Sequence, residues 1–107
     1  MADKINVFFR AKARSDRVDE FVNEAIRMMK AAREEDGCLA FIYHQSKKDN
    51  SQFLLYESWR DREALDAHMD ALKEYFGPCE EGQIFPAKLL DFWEEWSADI
   101  CDIVTEL

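Results

Sequence analysis

The sequence predicts an α+β domain in which one four-stranded antiparallel sheet carries its helices on one face. Three patterns predict this class: segments in which apolar and polar residues alternate, segments with apolar residues at three- and four-residue steps, and a polar turn between two alternating segments. The predicted order of elements is β-α-β-β-α-α-β. Two helical crossovers and one hairpin in this order are typical of the ferredoxin-like arrangement.

Alternation of side-chain character predicts four strands. The first runs from Lys4 to Lys12. The second and third cover residues 39–45 and 52–59, and the polar segment 46–51 between them suits a hairpin turn. The tail, from Ile100 to Glu106, alternates weakly and is predicted to be the last strand.

Helical spacing predicts three helices. The first begins at a capping residue, Ser15 or Asp16, and ends near Gly37, a residue type that commonly terminates helices. Asp61 is expected to cap the second helix, and Pro86 to open the third. The buried stripe of the second helix is Leu65, His68, Met69, Leu72 and Phe76, and that of the third is Leu89, Phe92, Trp93 and Trp96.

Length and charge restrict the classes of protein that the chain can form. A chain of 107 residues with 48% hydrophobic residues suffices for one core, so we predict a single domain over residues 1–107. The formal net charge of -9 would repel a phosphate backbone, which argues against a nucleic-acid partner. No run of 18 apolar residues and no signal-peptide core occurs. We therefore expect a cytoplasmic protein with no membrane partner.

Cysteines and glycines give no sign of a cofactor or metal site. Cys38, Cys79 and Cys101 are odd in number and far apart, unlike a disulfide framework or a zinc motif. The three glycines form no phosphate-binding loop, and the chain has no H-E-x-x-H motif. We therefore expect free thiols, no metal ion and no flavin or nicotinamide cofactor.

Both faces of the predicted sheet are apolar. One face carries Phe8, Ile42, Leu54 and Tyr56, and the other carries Phe9, Phe41, Phe53 and Leu55. Because the helices cover one face only, the second must be buried against something else. The simplest partner is a second copy of the chain, which predicts a homodimer joined through the open face.

Three polar residues within apolar segments are candidates for chemistry. His68 on the second helix is either a satisfied core histidine or a general base, because imidazole titrates near neutral pH. Glu57 interrupts the third strand, where it either pairs with Arg10 or Lys12 or takes part in acid–base chemistry. Asn6 is a polar residue within the first strand.

Two segments carry a more specific pattern. Residues 33–41 read R-E-E-D-G-C-L-A-F, and residues 53–69 read F-L-L-Y-E-S-W-R-D-R-E-A-L-D-A-H-M. Together they resemble the antibiotic biosynthesis monooxygenase family, in which an E-E-x-G-C/N-L turn follows the first helix and a Y-E-x-W strand precedes a helix with A-L-x-x-H. The resemblance covers residues 5 to 76. It implies a small ferredoxin-like protein that forms a dimeric α+β barrel.

The chain departs from parts of the family pattern. Many relatives carry a second histidine shortly after the first, and this chain has Lys73 there. Haem-degrading relatives use an asparagine in the first strand, a tryptophan on the second helix and a later histidine ligand. Asn6 resembles the first of these, but His68 stands at the tryptophan position and Pro78-Cys79 replaces the ligand. These differences argue against haem degradation.

The resemblance implies three alternative functions. The first is a cofactor-independent monooxygenase that oxidises a quinol-like or polycyclic phenolic compound with O₂. In it His68 would be the base, Asn6 a donor to the substrate oxyanion, and Glu57 would orient His68 or pair with Arg10. The second is an isomerase of a small carbonyl or sugar-derived compound, and the third is a non-enzymatic stress or ligand-binding dimer. The residues expected to contact the substrate are Trp59, Tyr56, Phe8 and Met69.

Overall fold

The structure is a computed structural model that describes residues 4–104. Seven secondary-structure elements form the domain. They are β1 (Ile5–Ala13), α1 (Val18–Arg33), β2 (Cys38–Gln45), β3 (Gln52–Trp59), α2 (Arg62–Phe76), α3 (Ala87–Leu90) and β4 (Trp93–Cys101). This order confirms the predicted β-α-β-β-α-α-β succession and the ferredoxin-like fold.

The four strands form one antiparallel sheet in the order β2-β3-β1-β4. Strand parity decides the environment of each side chain, because successive residues point to opposite faces. The face that packs against the helices carries Val7, Phe9 and Ala11 from β1 and Phe53 and Leu55 from β3, all of them buried. The core therefore lies between this face and helices α1 and α2.

The two long helices begin in different ways. Asp61 caps α2 as predicted, because its carboxylate accepts a hydrogen bond from the backbone N–H of Ala64 at 2.9 Å. The prediction for α1 was wrong: neither Ser15 nor Asp16 is the cap, and Arg17 stands at that position without a side-chain cap. Asp19 and Glu20 in the first turn of α1 supply negative charge at this end instead.

The turn from α1 to β2 places α2 against the sheet. Helix α1 ends at Arg33, earlier than predicted, and Gly37 then adopts a φ of 83°, which favours glycine. A Cβ atom on Gly37 would lie 2.6 Å from the Cβ of Ala64 in the first turn of α2. The backbone N–H of Arg60 donates to the carbonyl of Gly37 at 2.8 Å. This contact brings the start of α2 directly onto the turn.

The C-terminal third differs from the sequence-based expectation. Only Ala87–Leu90 is helical, so Phe92, Trp93 and Trp96 do not lie on the third helix, and the last strand is Trp93–Cys101 rather than 100–106. Trp93 pairs with Ala13 and Trp96 with Ala11, because the register shifts at Lys12/Ala13. A bulge of this kind puts two residues that are three apart on one sheet face, which imitates helical spacing. Residues 105–107 lie outside the described residues.

None of the helices within residues 4–104 covers the opposite sheet face. Phe8 is 43% exposed and Ile42 is 39% exposed there. The ring of Phe8 packs against Tyr56 with 5.2 Å between centroids, across the β1–β3 pair. We call this surface, formed by Phe8, Ile42, Leu54 and Tyr56, the open face.

Candidate active site between helix α2 and the sheet

A cavity of about 400 Å³ lies between α2 and the helix-facing side of the sheet. Its walls are mostly apolar and include Phe9, Phe41, Leu55, Leu65, Met69, Leu72 and Trp93. Gln83, Ile84 and Phe85, in the loop before α3, close one side, and the charged residues Arg62, Asp66 and Lys73 of α2 also line it. A volume of this size suits a small aromatic molecule.

His68 is the imidazole on the wall of this cavity. It is only 4% exposed, and its Nδ1 lies 2.8 Å from Oε1 of Glu35, at the end of α1. Its ring stacks on Trp59 with 4.6 Å between centroids, and Phe41 contacts it edge-on at 5.3 Å. These three contacts hold the ring in one orientation.

Glu57 is the buried carboxyl group of the site. Oε1 of Glu57 accepts a hydrogen bond from the indole Nε1–H of Trp59 at 2.7 Å. Burial raises the pKa of Glu57 above its usual range, and the hydrogen bond from Trp59 and the charge of His68 oppose this rise only in part. Burial therefore shifts Glu57 toward its protonated form, which can donate a hydrogen bond to a ligand.

Two further polar groups line the cavity. The hydroxyl of Tyr43 is strongly held in its neutral form, since burial and then the nearby Glu57 raise its pKa. The indole N–H of Trp93 is buried and has no acceptor among residues 4–104. An unsatisfied buried donor is costly, so a ligand oxygen there would relieve the cost.

The structure separates the residues that the sequence placed together. Asn6 and Tyr56 lie on the opposite side of the sheet from His68, where the hydroxyl of Tyr56 donates to Oδ1 of Asn6 at 3.1 Å. Ser58 donates to the same oxygen at 2.9 Å, and Phe8 lies on that side as well. Asn6, Tyr56 and Phe8 therefore do not line this cavity, because even-numbered residues of β1 and β3 point to the open face.

Of the other expected residues, Met69, His68 and Glu57 do line the cavity. Trp59 does not, because it is wholly buried behind His68 and packs against it. Glu57 makes no ion pair with Arg10, which has its place on the other sheet face, across from Leu54 in the register. Nor does Glu57 orient His68, since the hydrogen-bond partner of His68 is Glu35.

Sequence reasoning missed Glu35 and Trp93. Glu35 was part of an acidic run at the end of α1, which reads as an ordinary solvated helix end. Its position was a usable signal. A carboxylate near a helix C-terminus interacts unfavourably with the helix dipole, so another interaction is expected to stabilise it. Trp93 was assigned to a helix, so its place in the cavity was not foreseen.

No group of three or more His, Cys, Asp or Glu residues stands ready to hold a metal ion within the described part of the chain. Cys38, Cys79 and Cys101 are free thiols. Burial, followed by the charges of Glu35 and Glu57, raises the pKa of Cys38, which makes its thiolate scarce. None of the helices within residues 4–104 is long and apolar enough to cross a membrane.

The ferredoxin-like sheet, with an apolar cavity beside it and a histidine on the cavity wall, places the chain among small α+β proteins. The model of the antibiotic biosynthesis monooxygenase family matches residues 5–75. The chain belongs to this family. An uncharacterized protein of Synechocystis sp. is 32% identical over 66 residues, which are 62% of this chain and 45% of that protein. The match thus spans less than half the length of that relative.

Solved structures support the fold at low sequence identity. Rv0793 from Mycobacterium tuberculosis is 20% identical with a TM-score of 0.78, and the match covers 96% of this chain and 97% of that one. PA3566 from Pseudomonas aeruginosa is 21% identical with a TM-score of 0.77, and the match covers 98% of each chain. At such identities the likeness concerns the fold alone.

Proposed function

We propose that the protein is a cofactor-independent monooxygenase that oxidises a quinol-like or polycyclic phenolic compound with O₂. The observation that carries the proposal is His68, a fixed imidazole on the wall of an apolar cavity with Glu57 beside the same space. Membership of the antibiotic biosynthesis monooxygenase family supports the class of reaction. In such a reaction the substrate itself supplies the electrons that reduce oxygen.

The first task of the site is to ionise the substrate. A phenol with a pKa near 10 costs about 4 kcal/mol to deprotonate at pH 7, at 1.36 kcal/mol per pKa unit. His68 takes this proton as general base, and the electron pair stays on the substrate oxygen. Asn6 lies on the other side of the sheet and therefore does not donate to an oxyanion in this cavity.

The second task is the reaction of the electron-rich anion with O₂. In an anthrone-type substrate a ring CH₂ becomes a carbonyl, one atom of O₂ enters that carbonyl, and the other leaves as water with the two hydrogens. The apolar walls Phe9, Phe41 and Leu72 exclude bulk water during this step.

One observation favours a second candidate, an isomerase of a small carbonyl compound. Glu57 and His68 line one cavity, and burial favours the protonated form of Glu57. A base and an acid in one space can remove and return a proton through an enediolate, with no oxygen consumed. Dependence on O₂ therefore separates the two candidates.

We also propose that the protein acts as a homodimer joined through the open face. Phe8 and Ile42 expose large apolar surface there, and residues 101–103 lie beside Asn6, Phe8 and Tyr56 at one end of this face. A second copy buries the same surface on both partners under two-fold symmetry. The dimer would leave the cavity on the outer, helix-covered side of each sheet.

The decisive experiment measures oxygen uptake with naphthoquinols and anthrones as substrates. We expect catalysed uptake by the native protein above the rate with heat-denatured protein, which corrects for spontaneous oxidation. His68→Ala should lower kcat about 10²–10⁴-fold, the usual contribution of a general base. His44→Ala, at the exposed second histidine of the chain, is the matched control and should retain the native rate.

Three outcomes would change the proposal. A folded His68→Ala variant with native turnover would remove His68 from the mechanism and leave Glu57 as the next acid–base group. Turnover of a carbonyl compound under argon would favour the isomerase. Saturable binding of phenols without any turnover would identify a ligand-binding dimer instead.

A further inference from the structure

His68 separates two cavities. One is the cavity against the sheet described above, and the other, of about 350 Å³, lies between α1 and α2. The second cavity is lined by Glu35, Met28, Leu72 and Phe76 among others, and Glu35 does not line the first. The imidazole therefore has a substrate side, toward the sheet, and a helix side, toward Glu35.

The two ring nitrogens have different partners. Nδ1 is 2.8 Å from Oε1 of Glu35, whereas Nε2 makes no hydrogen bond to any residue from 4 to 104. An ionised carboxylate can only accept, so this contact requires the proton on Nδ1 and leaves the lone pair on Nε2. The stacking of Trp59 and the edge contact of Phe41 resist a flip of the ring.

The side-chain carboxylate of Glu35 has no other ion-pair or hydrogen-bond partner among the described residues. Neighbouring Arg33 points elsewhere, since its guanidinium donates to the carbonyl of Phe41 at 3.3 Å. The Glu35 side chain is 26% exposed, whereas that of His68 is 5% exposed. A carboxylate two residues beyond the last residue of α1 is not stabilised by the helix dipole. The stabilising interaction of Glu35 at this position is therefore its contact with His68.

We propose that Glu35 is the positioning residue that makes Nε2 of His68 the base, and that it takes up the Nδ1 proton while the substrate anion reacts with O₂. The proposal rests on the proposed function. The substrate O–H bond breaks, its proton binds Nε2, and its electron pair stays on the substrate oxygen. The Nδ1 proton meanwhile shifts to Oε1 of Glu35. After O₂ has added to the substrate this shift reverses, and Nε2 returns its proton to the peroxide oxygen that leaves as water.

The test of positioning is the tautomer of His68, which needs no substrate. Long-range ¹H–¹⁵N NMR at pH 8, where an ordinary histidine is neutral, distinguishes Nδ1–H from Nε2–H. The chain has two histidines, so the spectrum of His44→Ala assigns both. We expect the Nδ1–H tautomer to predominate in the native protein. In Glu35→Ala the ratio of Nδ1–H to Nε2–H tautomers should fall about tenfold, which is the scale of one charge-assisted hydrogen bond. Glu34→Gln removes an adjacent exposed charge and should leave the tautomer unchanged.

A second variant tests the proton route. Glu35→Gln can still accept the Nδ1–H hydrogen bond through its amide oxygen, but it can neither take up that proton nor carry a negative charge. We expect a native tautomer with kcat lowered about 10–100-fold, because the protonated His68 loses a charge-assisted hydrogen bond, and with KM little changed. Glu34→Gln again serves as the control and should keep the native kcat.

The outcomes divide cleanly. A tautomer that is unchanged in Glu35→Ala overturns the positioning role, and native kcat in Glu35→Gln overturns the proton route. If the tautomer depends on Glu35 but no phenol is oxidised, the positioning role stands and the monooxygenase proposal fails. Backbone amide spectra that match the native protein establish that each variant is folded.

Discussion

Glu57 is a carboxyl group whose surroundings do little to compensate its burial. It is 8% exposed, and its single hydrogen-bond donor within residues 4–104 is the indole of Trp59. Burying a carboxylate costs free energy unless charge or several donors stabilise it. The group is therefore retained at a cost to stability, which is typical of residues that serve binding or chemistry.

The raised pKa of Glu57 predicts a particular dependence of stability on pH. Because the folded pKa lies above the unfolded one, the folded state gains from the protonated carboxyl below the unfolded pKa, and this gain is lost as pH rises through the folded pKa. Glu57→Gln removes the titration. We expect the variant to become more stable relative to the native protein as pH rises, by about 1.4 kcal/mol for each unit of pKa difference. Urea unfolding at a series of pH values measures this.

Glu81→Gln is the control for that experiment. Glu81 is exposed in the loop before α3, so its substitution should leave the pH dependence as it is in the native protein. A difference between Glu57→Gln and the native protein that stays constant with pH would mean that the carboxyl of Glu57 titrates alike in both states. The interpretation of the site as an acid–base pair would then lose one member.

At the scale of elements, the position of α2 depends on one close contact. Ala64 in its first turn lies against Gly37, and His68 follows one turn later on the same side of the helix. Any shift of the helix start therefore moves the imidazole relative to Glu35 and Trp59. Gly37 and Ala64 therefore determine the position of His68 although neither of them lines the cavity.

Gly37→Ala should destabilise the protein by about 2–5 kcal/mol, the combined scale of a left-handed backbone with a side chain and of overpacking. Gly82→Ala is the matched control, since φ there is 82° but the new Cβ would meet nothing within 4 Å. It should cost only the backbone part, about 1–2 kcal/mol. Urea unfolding gives both values. Equal losses in the two variants would show that the Gly37–Ala64 contact does not constrain α2.

At the scale of the whole molecule, this small chain has a sheet that is apolar on both sides. Burial of the open face against a second copy of the chain would account for the second apolar side. The radius of gyration is 14.0 Å, and the helices of one chain reach only one side of the sheet. A net charge of -9 opposes nonspecific association between copies of the chain. The proposed homodimer would need the apolar contact of the open face to overcome this repulsion.

The dimer predicts a mass of twice the 12.6 kDa chain by light scattering at micromolar concentration. Ile42→Lys places a charge within the proposed interface and should give monomers, because an unpaired charge is costly to bury. Ile26→Lys is the matched control: Ile26 on α1 is 42% exposed against 39% for Ile42, and it lies away from the open face. Native protein that scatters as a monomer, or equal dissociation of both variants, would contradict the proposed interface.

Sequence patterns located β1, α1, β2, β3 and α2 to within a few residues, because burial of one face dictates the spacing of apolar residues within an element. They failed at the C-terminus for a physical reason. Trp93 and Trp96 share a sheet face only through the bulge opposite Lys12 and Ala13, and nothing local to the tryptophans reports a bulge in the pairing of two distant strands.

The sequence by itself determined that His68 faces the sheet, because the stripe of α2 is a local property of 3.6-residue periodicity. It could not determine which face of the sheet receives the helices, because both parities of β1 and β3 are apolar, and so it misplaced Asn6, Tyr56 and Phe8. The partner of His68 was also beyond it. Glu35 is 33 residues away along the chain, and only the packing of α1 beside α2 brings its carboxylate to Nδ1. Contacts between elements depend on tertiary packing, which local periodicity does not encode.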